Sequence, residues 1–196
     1  MEPKAHAEEL LDIVNEQDEP TRIMPEREMR QIGHAALAKN GEYVRAVCAF
    51  IKNNRGQLWI PRRCETKKVL PGTLDMGISG LVSAGETYDQ ALAREAMEEA
   101  NIDVSTMSVN YLGLLPPWAD ADRNDVSHAA KREVGGHAKA GFFTAVYEIA
   151  SDDTPDYNCG DFCDSYWLYP QELLDMLPNE KPVKGGLAVA IKIFYL

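Results

Sequence analysis

Three carboxylates at helical spacing are the most informative feature of this 196-residue chain. They are Glu95, Glu98 and Glu99, inside the stretch GLVSAGETYDQALAREAMEEANI that runs from Gly80 to Ile102. On a helix, Glu95 and Glu99 lie one turn apart and Glu98 sits three residues from Glu95, so all three can face one neighbourhood. Like charges at this spacing cost an isolated helix about 0.2–0.5 kcal/mol per pair. A divalent cation removes that repulsion, and all-oxygen donors suit hard Mg2+, with Mn2+ as the alternative. Arg94 is spaced to reach back to Glu86 and fix the preceding loop by a charge-assisted bond.

Upstream, PRRCETKKVLPG (61–72) sets Arg62, Arg63, Lys67 and Lys68 against a single acid, Glu65. This is the most concentrated basic stretch of the chain, and it leads directly towards the glutamate helix. Guanidinium and ammonium groups here suit a phosphate clamp. The plainer alternative is a charged strand edge with its turn.

The glutamate stretch resembles the Nudix box, G-x5-E-x7-R-E-U-x-E-E-x-G-U with U a bulky apolar residue. Gly80, Glu86, Arg94, Glu95, Glu98, Glu99 and Ile102 match it. Asn101 stands in place of the second glycine, and Ala96 is small for its apolar slot. A solvated acidic helix behind a glycine-rich loop would need none of this fixed spacing. The resemblance implies an α/β/α sandwich around a mixed β-sheet and hydrolysis of a nucleoside diphosphate linked to another moiety. It also implies Mg2+ held by Glu95, Glu98 and Glu99 together with the carbonyl of Gly80, and a catalytic set of Glu95, Glu98, Glu99 and Arg94. A nucleotide-sensing module without catalysis is the rival; such a module typically loses Glu98 or Glu99, and both are present.

Residues 9–102 are also similar to the Nudix branch that includes isopentenyl-diphosphate isomerase, through the N-terminal hairpin and helix, R-A-V, R-R-x3-K-K and the P-G before the box. By that similarity Arg63 and Lys67 would contact a diphosphate. The isomerase's catalytic cysteine is replaced by Ser79, and two metal-binding histidines by Leu81 and Val44. Only one of two later acids remains, in Gly160-Asp161-Phe162-Cys163. Alkene isomerisation needs those protonating groups whereas phosphoanhydride hydrolysis does not, so hydrolysis is the expectation. W-x-P-R-R with L-P-G-x-L-D also resembles Nudix hydrolases that act near thiamine diphosphate enzymes, which adds thiamine-type diphosphates to the candidate substrates.

These groups need elements to hold them. Thr87 to Ala100 reads as a helix opened by a Thr87/Gln90 capping box, with Asn101 suited to a left-handed C-terminal position. YVRAVCAFI (43–51), QLWIPR (57–62), Val109–Leu115, Gly141–Ile149 and Ser165–Tyr169 read as strands. Pro170–Leu177 and Leu187–Tyr195 read as closing helices, the last with a strand as alternative. Residues 1–40 form an expected arm of hairpin plus helix (LLDIVNEQDEPTRIM, then PEREMRQIGHAALA) on the same domain, with the main domain over 41–196. The order β-β-α-β-β-α predicts an α/β sandwich. Softer candidates are His128, Arg132 and His137 in the polar loop 116–140, for phosphate contact or plain solvation, Trp118 and Tyr166 as stacking rings, Trp59 as core or sheet surface, and Asp161 or Asp164 as a further ligand, a general base or a capping loop acid.

Composition narrows the rest. The length fits one domain with a real core, and 45% apolar with 26% charged residues describes a globular chain. A net charge of −11 disfavours a nucleic-acid polymer as partner, so an anionic substrate must recruit a cation locally. No apolar run spans a bilayer, and the acidic start MEPKAHAEELL has no signal-peptide core, which predicts a cytoplasmic protein. The expected partner is a small-molecule diphosphate; monomer and homodimer both fit. Cys48, Cys64, Cys159 and Cys163 are expected to be free thiols.

Overall fold

A computed structural model describes residues 8–117, 141–180, 184 and 186–196. His128, Arg132, His137 and Trp118 lie outside the described residues.

The strand β3 (Tyr43–Lys52) organises the fold. Its alternation sends Val47, Ala49 and Ile51 to one face and Cys48 and Phe50 to the other, all of them at most 1% exposed. One edge of β3 runs parallel to β7 (Phe142–Ala150) over its whole length. The other edge is shared by three antiparallel strands in succession: β1 (Leu10–Val14), β5 (Ile78–Leu81) and β4 (Leu58–Arg63). Further pairings of β2 (Pro20–Pro25) with β1, β8 (Phe162–Leu168) with β4, and β6 (Ser108–Leu115) with β7 complete a mixed eight-stranded sheet.

Helices cover both faces. On one, α3 (Tyr88–Ala100) lays Ala91, Leu92, Ala96 and Ala100 against Val47, Ala49, Ile51 and Trp59. The small Ala96 is fully buried there, so the reduced apolar slot serves close approach of helix to sheet. On the other, α5 (Leu187–Tyr195) packs Leu187, Ala190 and Ile191, with Leu173 of α4 (Pro170–Met176), on Cys48, Phe50, Leu58 and Ile60. The expected α/β/α layering is the one observed.

Two local expectations are corrected. The helix read from Pro25 onwards is two helices, α1 (Glu26–Ile32) and α2 (His34–Lys39), because Gly33 at φ 82° turns the chain between them. The segment 69–80 before the box, whose mix of turn and apolar residues matches no regular element, ends in strand β5, paired with β3 from Ala46↔Leu81 to Ala49↔Ile78. The C-terminal segment is helical.

The N-terminal hairpin buttresses the loop that precedes α3. Ala84 N donates to Leu10 O at 2.7 Å, Gly85 N to Asp12 Oδ2 at 2.9 Å, and Ser83 Oγ to Glu9 Oε1 at 3.0 Å. Beneath it, Leu11, Ile13, Met24, Met29, Leu37 and Val44 form a cluster of their own.

Candidate active site

The helix that carries the glutamates is fixed at both ends by its own sequence. Thr87 Oγ1 accepts from Gln90 N at 3.2 Å, and Gln90 Oε1 accepts from Thr87 N at 2.9 Å. This reciprocal pair satisfies two amides that the first helical turn leaves open. At the other end Asn101 adopts the left-handed conformation (φ 52°, ψ 34°) and its side chain donates to Asp156 O at 2.5 Å.

Arg94 is the hub of the loop ahead of α3. Its guanidinium holds both oxygens of Glu86 at 3.0 Å, donates to Leu81 O at 2.8 Å, and reaches Glu95 Oε1 at 2.5 Å. Glu98 Oε2 stands 3.6 Å away. The bidentate Arg94 bond holds the Glu86 carboxyl below its ordinary range. A Cβ built on Gly80 would run into the Glu95 carboxylate, so any larger residue there would force Glu95 to shift from its place over β5.

Two of the three glutamates face inward. The Glu95 side chain is 12% exposed and the whole of Glu99 8%, whereas the side chain of Glu98 is 61% exposed. Burial raises the pKa of Glu95, against the pull of Arg94. Burial, reinforced by nearby Asp75, pushes Glu99 up to about 8. One Glu99 oxygen accepts from Ser79 N at 2.8 Å.

Among the described residues, no three donors are gathered closely enough to hold an ion as they stand. The side chains nevertheless fit a hard dication in chemistry. Three carboxylates and the nearby Gly80 carbonyl are all oxygen donors, and two of the acids are desolvated charges that an added cation would relieve.

The basic run is less open than its sequence implies. Arg63 Nη1 donates to Asp75 Oδ2 at 2.8 Å, and Lys67 pairs with Asp161. Arg62 is bidentate to Glu180 and lies over the Tyr166 ring, 5.6 Å from its centroid. Asp161 is thus the counter-ion of Lys67, and Asp164 accepts from Tyr166 Oη and Ser165 N at 2.8 Å. Trp59 is wholly buried in the core. The four cysteines are free.

Sequence reasoning missed two residues here. Asp75, in Leu74-Asp75-Met76, is wholly buried and joins Arg63 to Ser79. Its signal was an acid in an otherwise apolar stretch between the basic run and the box. Lys184, which bonds both Asp75 and Ser79, stands 109 residues from Asp75 and carries no local signal.

An α/β/α sandwich with a capped helix presenting this glutamate set against a glycine defines a class, and the comparisons agree with it. The NUDIX domain model matches residues 42–187, and the chain belongs to the Nudix family of hydrolases. An uncharacterised Nudix hydrolase of Nostoc sp. is 37% identical over 187 residues, covering 95% of this chain and 96% of the relative. A Nudix hydrolase of Deinococcus radiodurans is 35% identical over 189 residues, covering 96% and 95% respectively. Among solved structures, that of DR0079 from Deinococcus radiodurans superposes with a TM-score of 0.78 at 33% identity, over 96% of this chain and 100% of that one. The MutT protein of Methanosarcina mazei shares the fold, with a TM-score of 0.53 at 18% identity over 78% of this chain and 90% of its own. Among the described residues no helix is long and apolar enough to cross a membrane.

Proposed function

We propose that the protein is a Mg2+-dependent pyrophosphohydrolase, Mn2+ being the alternative ion, that cleaves the diphosphate linkage of a nucleoside diphosphate derivative or of a related, thiamine-type diphosphate. Glu95, Glu98 and Glu99, with the Gly80 carbonyl, would hold the ion. A bound dication supplies charge stabilisation at phosphorus and lowers the pKa of an attacking water. Arg94 aligns Glu95 and keeps the loop 81–86 in place. A carboxylate of the set, or an acid from a later loop, takes the proton from the attacking water. Arg63 and Lys67 bind the phosphates beside the reacting centre, each exchanging part of its bond to Asp75 or Asp161 for a substrate oxygen.

The observation that carries this reading is the Glu86–Arg94–Glu95 chain with Gly80 packed beneath it. An acidic helix with a purely structural role has no need of a glycine at the point where a carboxylate crosses the strand. Hydrolysis is favoured over isomerisation because the hydroxyl of Ser79, in place of a cysteine thiol, is held between Asp75 and Lys184.

The test is release of phosphate or of a phosphomonoester, followed by 31P NMR, from a panel of nucleoside diphosphates, their derivatives and thiamine-type diphosphates, with Mg2+ and with EDTA. Release from at least one member in Mg2+ alone supports the reading; release from none, or equal release in EDTA, contradicts it. On the substrate so found, Lys67→Ala will raise KM about tenfold while lowering kcat less, because a phosphate grip acts in the ground state as well as the transition state. Unchanged KM in the folded variant would reduce Lys67 to the structural partner of Asp161.

A further inference from the structure

Two cations converge on one buried carboxylate beside the glutamate set. Asp75 Oδ2 accepts from Arg63 Nη1 at 2.8 Å. Asp75 Oδ1 accepts from Met76 N at 2.6 Å, from Ser79 Oγ at 3.1 Å and from the ammonium of Lys184, which also donates to Ser79 Oγ. Burial opposes ionisation of Asp75, yet Lys184 and Arg63 outweigh it and hold the carboxyl below its ordinary range.

The charges on the two sides of β5 do not balance separately. Elsewhere in the basic stretch the pairing is one to one, Arg62 with Glu180 and Lys67 with Asp161. Asp75 faces two cations in a nearly dry place; Lys184 also acts on Glu99, so one positive charge is in surplus once Glu99 is given to the metal. A single cation would suffice to neutralise a buried aspartate. On the other side, Arg94 faces Glu86, Glu95 and Glu98, a surplus of acid. Glu99 and Ser79 join the two halves through the 2.8 Å bond from Ser79 N.

Such a division suits a ligand that is itself divided, a diphosphate with a dication on some of its oxygens. The acid-rich half meets the metal, and the cation-rich half meets the phosphate oxygens the metal leaves free. Lys184 retains 20% side-chain exposure and Arg63 11%, so neither side chain is sealed in the core as Asp75 is. Lys184 also arrives from outside the sequence span of the Nudix box, on the approach to α5.

Resting on the hydrolase reading above, we propose that Lys184 is a phosphate-binding residue of this site, with Asp75 and Ser79 as the positioning residues that hold its ammonium next to Glu99. The non-reacting probe is methylenediphosphonate, whose P–C–P bridge cannot be hydrolysed, and its binding is measured by calorimetry in saturating Mg2+. Lys184→Gln will weaken it about tenfold or more, the loss of one charge-assisted hydrogen bond, and Lys184→Arg will restore most of the affinity. Mg2+ uptake without the probe will not weaken in either variant, since Lys184→Gln removes a cation that acts on Glu99 and Lys184→Arg keeps it.

Removing Lys184 alone leaves Asp75 less compensated, so the double variant Asp75→Asn/Lys184→Gln, which deletes both charges, guards against a folding defect. It is expected to show the same loss of probe affinity. Wild-type affinity in folded Lys184→Gln or in the double variant overturns the assignment of Lys184 and leaves the hydrolase reading standing. Failure of the wild type to bind either Mg2+ or the probe overturns both.

Discussion

Glu99→Gln will lower kcat by about 10³-fold, the scale of several kcal/mol of charge stabilisation lost at the transition state, with KM little changed. The substitution keeps shape: the glutamine carbonyl can still accept from Ser79 N, so the turn into β5 stays in place. What it deletes is a negative charge that burial has already made costly. The same variant will therefore be more stable than the wild type when no metal is present. The sign follows from linkage. Glu99 titrates at about 8 when folded, against an ordinary value of 4.5, so its carboxyl favours the folded state below 4.5 and withdraws that contribution as pH rises towards 8. In EDTA, the thermal midpoint of the wild type will fall across that window and that of Glu99→Gln will fall less. Equal turnover in the two proteins at saturating Mg2+ would remove Glu99 from the chemistry. Parallel stability curves would remove its buried charge from the account.

Gly80→Ala will lower turnover about a hundredfold or more without unfolding the protein. The backbone at Gly80 is extended and pairs with Val47, so an alanine meets no torsional strain. The obstacle is the Glu95 carboxylate, which occupies the place of the new methyl group. Glu95 must then leave the strand and its bond to Arg94, and a displacement of about 1 Å at a reacting centre is worth about 10² in rate. Gly85 is the informative control. It has φ +81° and open space around its Cα, so Gly85→Ala costs about 1 kcal/mol of backbone strain and touches no carboxylate. The expected pattern is lost activity with retained stability at position 80, and lost stability with retained specific activity at position 85. Full turnover in Gly80→Ala would show that Glu95 has no required position.

Features decided within one turn of helix or one strand were legible in the sequence. The Thr87/Gln90 cap, the left-handed Asn101 and the reach of Arg94 to Glu86 depend on spacings of a few residues along one helix and its approach loop. The alternation of β3 was equally plain, because each of its faces meets a different helical layer. Strand β5 was not legible: Ser79 and Gly80 have weak strand preference, and the segment is extended because β3 offers it a ladder. Arg63 and Lys67 looked available in the sequence, since their counter-ions Asp75 and Asp161 lie 12 and 94 residues away. Lys184 was invisible for the same reason, its partners being brought to it by the closing of the C-terminal helices over the sheet. The all-oxygen character of the glutamate set could be read from residue types, but the outward turn of Glu98 could not.

The account rests on Glu95, Glu98 and Glu99 acting together as the seat of a dication. The most direct measurement is binding of Mn2+, followed by the loss of its free-ion electron paramagnetic resonance signal, in the wild type and in Glu95→Gln/Glu98→Gln/Glu99→Gln. Mn2+ reads the same oxygen donors that would hold Mg2+ and needs no knowledge of the substrate. The prediction is saturable binding to the wild type, reversed by excess Mg2+, and none to a triple variant that circular dichroism shows to be folded. Equal Mn2+ binding by the two proteins would contradict the account.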